Sequence, residues 1–69
     1  MAPVRVAVNG KDEALEPGVS LGQLLARRGI DPQSVVVEVN LDIVGRELFS
    51  STFLKEGDTV EILRFVGGG

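Results

Sequence analysis

The chain contains no cysteine, histidine, tryptophan or tyrosine. Without cysteine there is no disulfide framework, no thiolate nucleophile and no zinc–thiolate site. Without histidine it lacks the commonest metal ligand and the commonest general base near neutral pH. Catalytic triads built on either residue are therefore excluded. Basic residues are in the minority, 7 against 10 acidic ones for a net charge of −3, and they are scattered along the sequence. Nucleic-acid binding requires a clustered basic footprint, so that class of partner is not expected. No apolar run approaches the roughly 20 residues of a membrane span, and no signal-peptide pattern opens the chain. These absences point to a cytoplasmic protein with no membrane partner.

What remains is the composition of one small globular domain. Of the 69 residues 43% are hydrophobic and 25% charged, which is too apolar for a disordered segment. A domain of this size buries only about 60% of its unfolded surface, so each core residue counts.

Val4, Val6 and Val8 alternate with other residues, the period of a strand with one buried face. Asn9-Gly10 follows, a pair suited to the positive φ angles of a type I′ hairpin turn. Lys11 to Glu16 then reads as a charge-rich second strand at a sheet edge, closed by Pro17-Gly18. Its acidic residues Asp12, Glu13 and Glu16 read as solvated edge charges rather than as a metal site. Ser20-Leu21-Gly22-Gln23 is a capping box, with Val19 and Leu24 placed as a hydrophobic staple. Leu21, Leu24 and Leu25 share one face of the helix that follows, and Arg27 and Arg28 sit at its negative end. Gly29 is suited to the left-handed position of a Schellman cap, with Ile30 folding back on Leu25. Gly22 weakens this short helix by up to about 1 kcal/mol relative to alanine.

Beyond the Asp31-Pro32 loop, residues 35–40 read as a third strand with Val35, Val37 and Val39 toward the helix. Leu41-Asp42 is expected to turn the chain into a short fourth strand, Ile43-Val44. Residues 45–54 read as irregular or short helical turns packing Leu48, Phe49, Phe53 and Leu54. Lys55 to Asp58 is a polar turn, and Thr59 to Val66 forms the last strand. Its Val60 and Ile62 face the core, opposite Glu61, Leu63 and Phe65. Hairpin, helix and strands in this order give an α+β domain with one helix across one face of a mixed sheet, and the strand order stays open. Residues 1–66 are read as the domain and residues 67–69 as a flexible glycine tail.

The ending Leu63-Arg64-Phe65-Val66-Gly67-Gly68-Gly69 is the most distinctive stretch. Three glycines extend at most about 10 Å and can enter a channel closed to residues with a Cβ. Having no side-chain functional group, they leave the α-carboxylate of Gly69 as the reactive group. They open no helix that cradles phosphate. Leu63 and Phe65, beside the tail and opposite the core-facing positions, are candidates for a partner-facing patch.

Several motifs together resemble the ThiS family of sulfur carriers, which has a β-grasp, ubiquitin-like fold. They are Val8-Asn9-Gly10, Leu24-Leu25, Val37-Glu38-Val39-Asn40, Val44-Gly45-Arg46, residues 56–62 and Phe65-Val66-Gly67-Gly68-Gly69. The resemblance spans essentially the whole chain. One departure is Gly45, where the family often has proline before the arginine. The resemblance implies a four- to five-stranded mixed sheet with the first and last strands parallel at its centre. It also implies a cosubstrate rather than an enzyme, a monomer when free, with no cofactor or metal of its own. A ThiF-like, E1-like adenylating enzyme would use ATP and magnesium to activate the Gly69 carboxylate, with Gly68 beside it. Sulfur from a donor enzyme's persulfide would give a thiocarboxylate, and a ThiG-like thiazole synthase would take that sulfur for thiamin. Leu63, Phe65, Val66, Gly67 and Arg46 would contact the partner. The alternatives are a molybdopterin-type carrier, a ubiquitin-like modifier and a TGS-type RNA-binding module, the last a poor match to the acidic charge.

Overall fold

Five strands form one mixed sheet, and a single α-helix lies across one face of it. The computed structural model describes residues 2–65. The expected roles of Val66, Gly67, Gly68 and Gly69, and the division between domain and tail, lie outside the described residues. In chain order the elements are β1 (Val4–Val8), β2 (Lys11–Leu15), α1 (Leu21–Arg27), β3 (Val35–Val39), β4 (Asp42–Val44) and β5 (Thr59–Arg64). Two 3-10 segments, Pro32–Ser34 and Arg46–Ser51, fill the connections.

The strand order is β2-β1-β5-β3-β4, so the last strand is inserted between two antiparallel hairpins. β1 and β5 are parallel neighbours, as the family resemblance implies. Their ladder includes Ala7 N–H donating to Asp58 C=O at 2.9 Å and Asn9 N–H to Val60 C=O at 2.8 Å. Where β1 ends, the Asn9 side chain continues the pairing by accepting the Ile62 N–H at 2.8 Å. The same Asn9 takes a φ of 50° and Gly10 one of 84°, the type I′ turn that its sequence favours.

The expected capping box and Schellman cap both appear in α1. Ser20 accepts the Gln23 N–H at 3.1 Å, and the Gln23 side chain returns to accept the Ser20 N–H at 2.9 Å. At the other end Gly29 has a φ of 68°. Ile30 N–H reaches Leu25 C=O and Gly29 N–H reaches Ala26 C=O, the two bonds of a Schellman motif. Arg27 and Arg28 bond Glu16 and Glu13, tying the helix end to the β2 edge. The Arg27 guanidinium beside Glu16 holds its carboxyl below the ordinary carboxylate value. Among the described residues no group of acidic side chains is arranged to hold a metal ion.

Leu21, Leu24 and Leu25 face Val6, Val8, Leu15, Val35, Val37 and Val60 in the core, which Val19, Phe49 and Leu54 complete. Val4, Val39 and Ile62, expected inside, are only partly buried at its margin. Two details of the sequence reading are corrected here. The β3–β4 turn is Asn40-Leu41, with φ of 53° and 74°, and β4 begins one residue earlier than expected, at Asp42. The Val39–Asp42 pairing leaves only a two-residue loop, and Asn40 is locked into it by its bonds to Asp58 and Thr59. Leu48 and Phe53, expected in the core, are 50% and 55% exposed. A β-bridge between Ser20 and Phe53 turns Leu54 inward and leaves the preceding side chain outside.

Candidate partner-docking site at the end of the last strand

β5 has two unlike faces because strand side chains alternate. Val60 and Ile62 pair with Val39 and Val37 on the helix side. Glu61 and Leu63 pair with Glu38 and Val36 on the helix-free side. β5 ends at Arg64 rather than continuing through Phe65 as expected, and Phe65 follows it directly. Leu63 is 49% exposed and Phe65 63%, so both stand in water, as expected. A large apolar side chain left in water beside a chain end is the raw material of a docking surface.

The end of β5 is anchored by its surroundings. Phe65 N–H donates to Ser34 C=O at 3.1 Å, tying the strand's exit to the 3-10 turn before β3. That turn is itself shaped by Asp31, whose side chain accepts the Gln33 N–H at 2.9 Å. Arg46 reaches the same turn from β4's side, its Nε donating to Pro32 C=O at 3.3 Å. The fold therefore brings Arg46, distant in sequence, to the same end of the sheet as Leu63 and Phe65. Arg46 is exposed and keeps the rest of its guanidinium for other acceptors.

Gly45, the departure from the family pattern, adopts a φ of −66° and a ψ of 146°. That φ is the one a proline ring imposes, and the ψ lies in the extended polyproline range, so the backbone at this position is compatible with proline.

Three side chains on the helix-free face escaped the sequence reading as site candidates: Ile43, which is 70% exposed, and the facing pair Glu38 and Glu61. Strand parity assigns each to a face, but only strand order makes them neighbours, and no local signal encodes that order. The opposite end of the sheet holds a shallow cavity of about 280 Å³ lined by Arg5, Asp12, Glu56 and Asp58 among others. Its polar groups are largely occupied: Glu56 accepts the Arg5 N–H, and Asp58 accepts the Lys55 N–H and the Asn40 amide. It is a structural corner of the fold, remote from the chain's exit.

Comparison with known proteins agrees with this fold. The chain is similar to a thiazole synthase of Paramagnetospirillum magneticum, 32% identical over 66 residues that make up 96% of this chain. It spans only 20% of that protein's length. It is 36% identical over 63 residues to the sulfur carrier protein ThiS of Bacillus subtilis, covering 90% of this chain and 96% of the relative. The crystal structure of the thiamine biosynthesis protein ThiS from Geobacter metallireducens superposes with a TM-score of 0.81 at 35% identity, over 96% of this chain and all of that one. The ThiS family profile matches residues 2–69, the glycine tail included, and the chain belongs to the ThiS family.

Proposed function

We propose that this chain is a sulfur carrier, a protein cosubstrate whose Gly69 carboxylate is activated and then loaded with sulfur for thiamin biosynthesis. The observation that carries the reading is the delivery of β5, pinned at the sheet centre, to an end where Leu63 and Phe65 are exposed beside Arg46. Those side chains form a handle for a partner within a few residues of the tail.

The chemistry follows from the carboxylate. With a pKa of roughly 3.3–3.7 it is an anion at neutral pH and a poor electrophile. A ThiF-like, E1-like enzyme using ATP and magnesium makes it reactive: a carboxylate oxygen attacks the α-phosphorus and pyrophosphate leaves. The outer sulfur of a donor persulfide then displaces AMP to give an acyl disulfide, and a second thiol attacks its donor-side sulfur, releasing the thiocarboxylate and leaving a disulfide on the donor. The thiocarboxylate passes its sulfur to a ThiG-like thiazole synthase. The likeness to thiazole synthases supports this acceptor over a molybdopterin-type pathway or a lysine on another protein. An ATP-dependent partner fits a cytoplasmic location, and no described helix is long and apolar enough to cross a membrane.

Deleting Gly69, or adding one alanine after it, tests the assignment without touching the core. Deletion leaves a glycine carboxylate about 3.5 Å short of the reacting position. A misplacement near 1 Å already costs on the order of a hundredfold in rate. Both variants should keep the native melting temperature and lose ATP–pyrophosphate exchange with the ThiF-like enzyme by about that factor or more. Phe65→Ala should likewise fold normally and bind the enzyme more weakly. Wild-type exchange in both tail variants would overturn the carrier reading.

A further inference from the structure

In the register of the sheet, Glu38 of β3 lies directly opposite Glu61 of β5, on the face away from α1. Ile43 of β4 flanks Glu38 on its other side, and Val36 and Leu63 form the next pair on that face. Like charges directly opposite each other in a sheet are destabilising. No described cation lies within ion-pair distance of either carboxylate. The ion pairs among the described residues are Arg27–Glu16 and Arg28–Glu13, both at the helix end. Arg64 is paired with Val35 and so belongs to the helix face. Arg5 shares this face but lies two residues before Ala7, the partner of Thr59, and so is displaced along the sheet from Glu61.

The result is a pair of unneutralised carboxylates within an apolar surround of Val36, Ile43 and Leu63. We propose that this face docks a protein partner that places one arginine or lysine side chain between Glu38 and Glu61 while its own apolar groups cover Leu63 and Ile43. The proposal rests on the carrier reading, in which that partner is the adenylating enzyme. A guanidinium suits the gap best, because its planar fork donates to two carboxylates at once. Covering the apolar surround excludes water and strengthens the charge pairing. A second copy of this chain is the wrong occupant: stacking two such faces brings four carboxylates together with no cation between them.

The test uses Glu38→Gln, Glu61→Gln and the double variant, which keep side-chain shape while removing charge. Binding to the recombinant ThiF-like enzyme is measured by calorimetry at about 50 mM and about 300 mM salt, where screening differs strongly. The double variant should lose about tenfold or more in affinity. It should also lose most of the salt dependence shown by the unmodified chain. The free double variant should melt about 1–5 °C higher, because the cross-strand repulsion is gone. A purely structural role for these residues predicts the opposite sign in melting temperature. Unchanged affinity and salt dependence in the double variant, with the unmodified chain binding and supporting pyrophosphate exchange, overturns the acidic-pair proposal alone. If the unmodified chain neither binds nor supports exchange, the carrier reading falls and this proposal falls with it. Self-association of the unmodified chain that these substitutions abolish also overturns it.

Discussion

Leu41 holds a φ of 74° and leaves 84% of its surface in water. A side chain with a Cβ in the left-handed region costs roughly 1–2 kcal/mol, and so exposed a leucine recovers little of that by packing. Leu41→Gly recreates the Asn-Gly pair that type I′ turns favour, at the price of a more flexible unfolded chain. The balance should stabilise the domain by about 0.5–1 kcal/mol, seen as a rise of several degrees in melting temperature. A fall would mean that Leu41 makes a stabilising contact its exposure conceals. Its neighbour explains why the turn tolerates the misfit. Asn40 accepts the Thr59 N–H at 3.0 Å and donates to the Asp58 carboxylate at 2.9 Å, so the loop is held from outside its own backbone. This is also where the sequence reading slipped by one residue. The turn is chosen by a bond to a residue 19 positions away, whereas Asn9-Gly10 and the Ser20 capping box are chosen by neighbours and were legible at once.

At the scale of elements, the best-read parts are those whose instructions are local. The capping-box and Schellman residues of α1 all lie between Ser20 and Ile30, and each took its expected place. The segment from Gly45 to Leu54 was legible only as turns. Which of its four large apolar residues go inside depends on where α1 lies, and Phe49 and Leu54 are the ones it covers. Gly45 offers a test of how far this connection is prearranged. Its φ of −66° already matches proline, and the three atoms nearest to an added Cβ all belong to the flexible Glu47 carboxylate. Gly45→Pro should therefore add about 0.4–1 kcal/mol by restricting the unfolded chain. Chemical denaturation would show a higher midpoint with an unchanged slope. A lower midpoint would reveal a native hydrogen bond from the Gly45 N–H.

For the whole molecule, the decisive fact is that β5 lies between β1 and β3 while β2 and β4 form the edges. Amide hydrogen exchange should accordingly be slowest in β5 and its two neighbours and faster in β2 and in the three-residue β4. Equal protection across all five strands would show instead that the sheet opens only as a unit. The candidate site divides in the same way. Leu63 and Phe65 were legible from local alternation, because parity is a property of neighbours. The opposition of Glu38 and Glu61 was not, because it exists only once β5 has been slotted beside β3. That insertion also matters while the chain is being made. The β1–β2 and β3–β4 hairpins leave the ribosome first but share no ladder with each other, and only residues 59–64 zip them into one sheet. A translation product that stops short of β5 is left with two unconnected hairpins and a bare helix, a form that quality-control proteases clear readily. Folding thus acts as a proofreading step for synthesis: a chain that stops before the strand leading to the glycines lacks the ladder that joins its two hairpins and does not persist as a stable, tail-less copy.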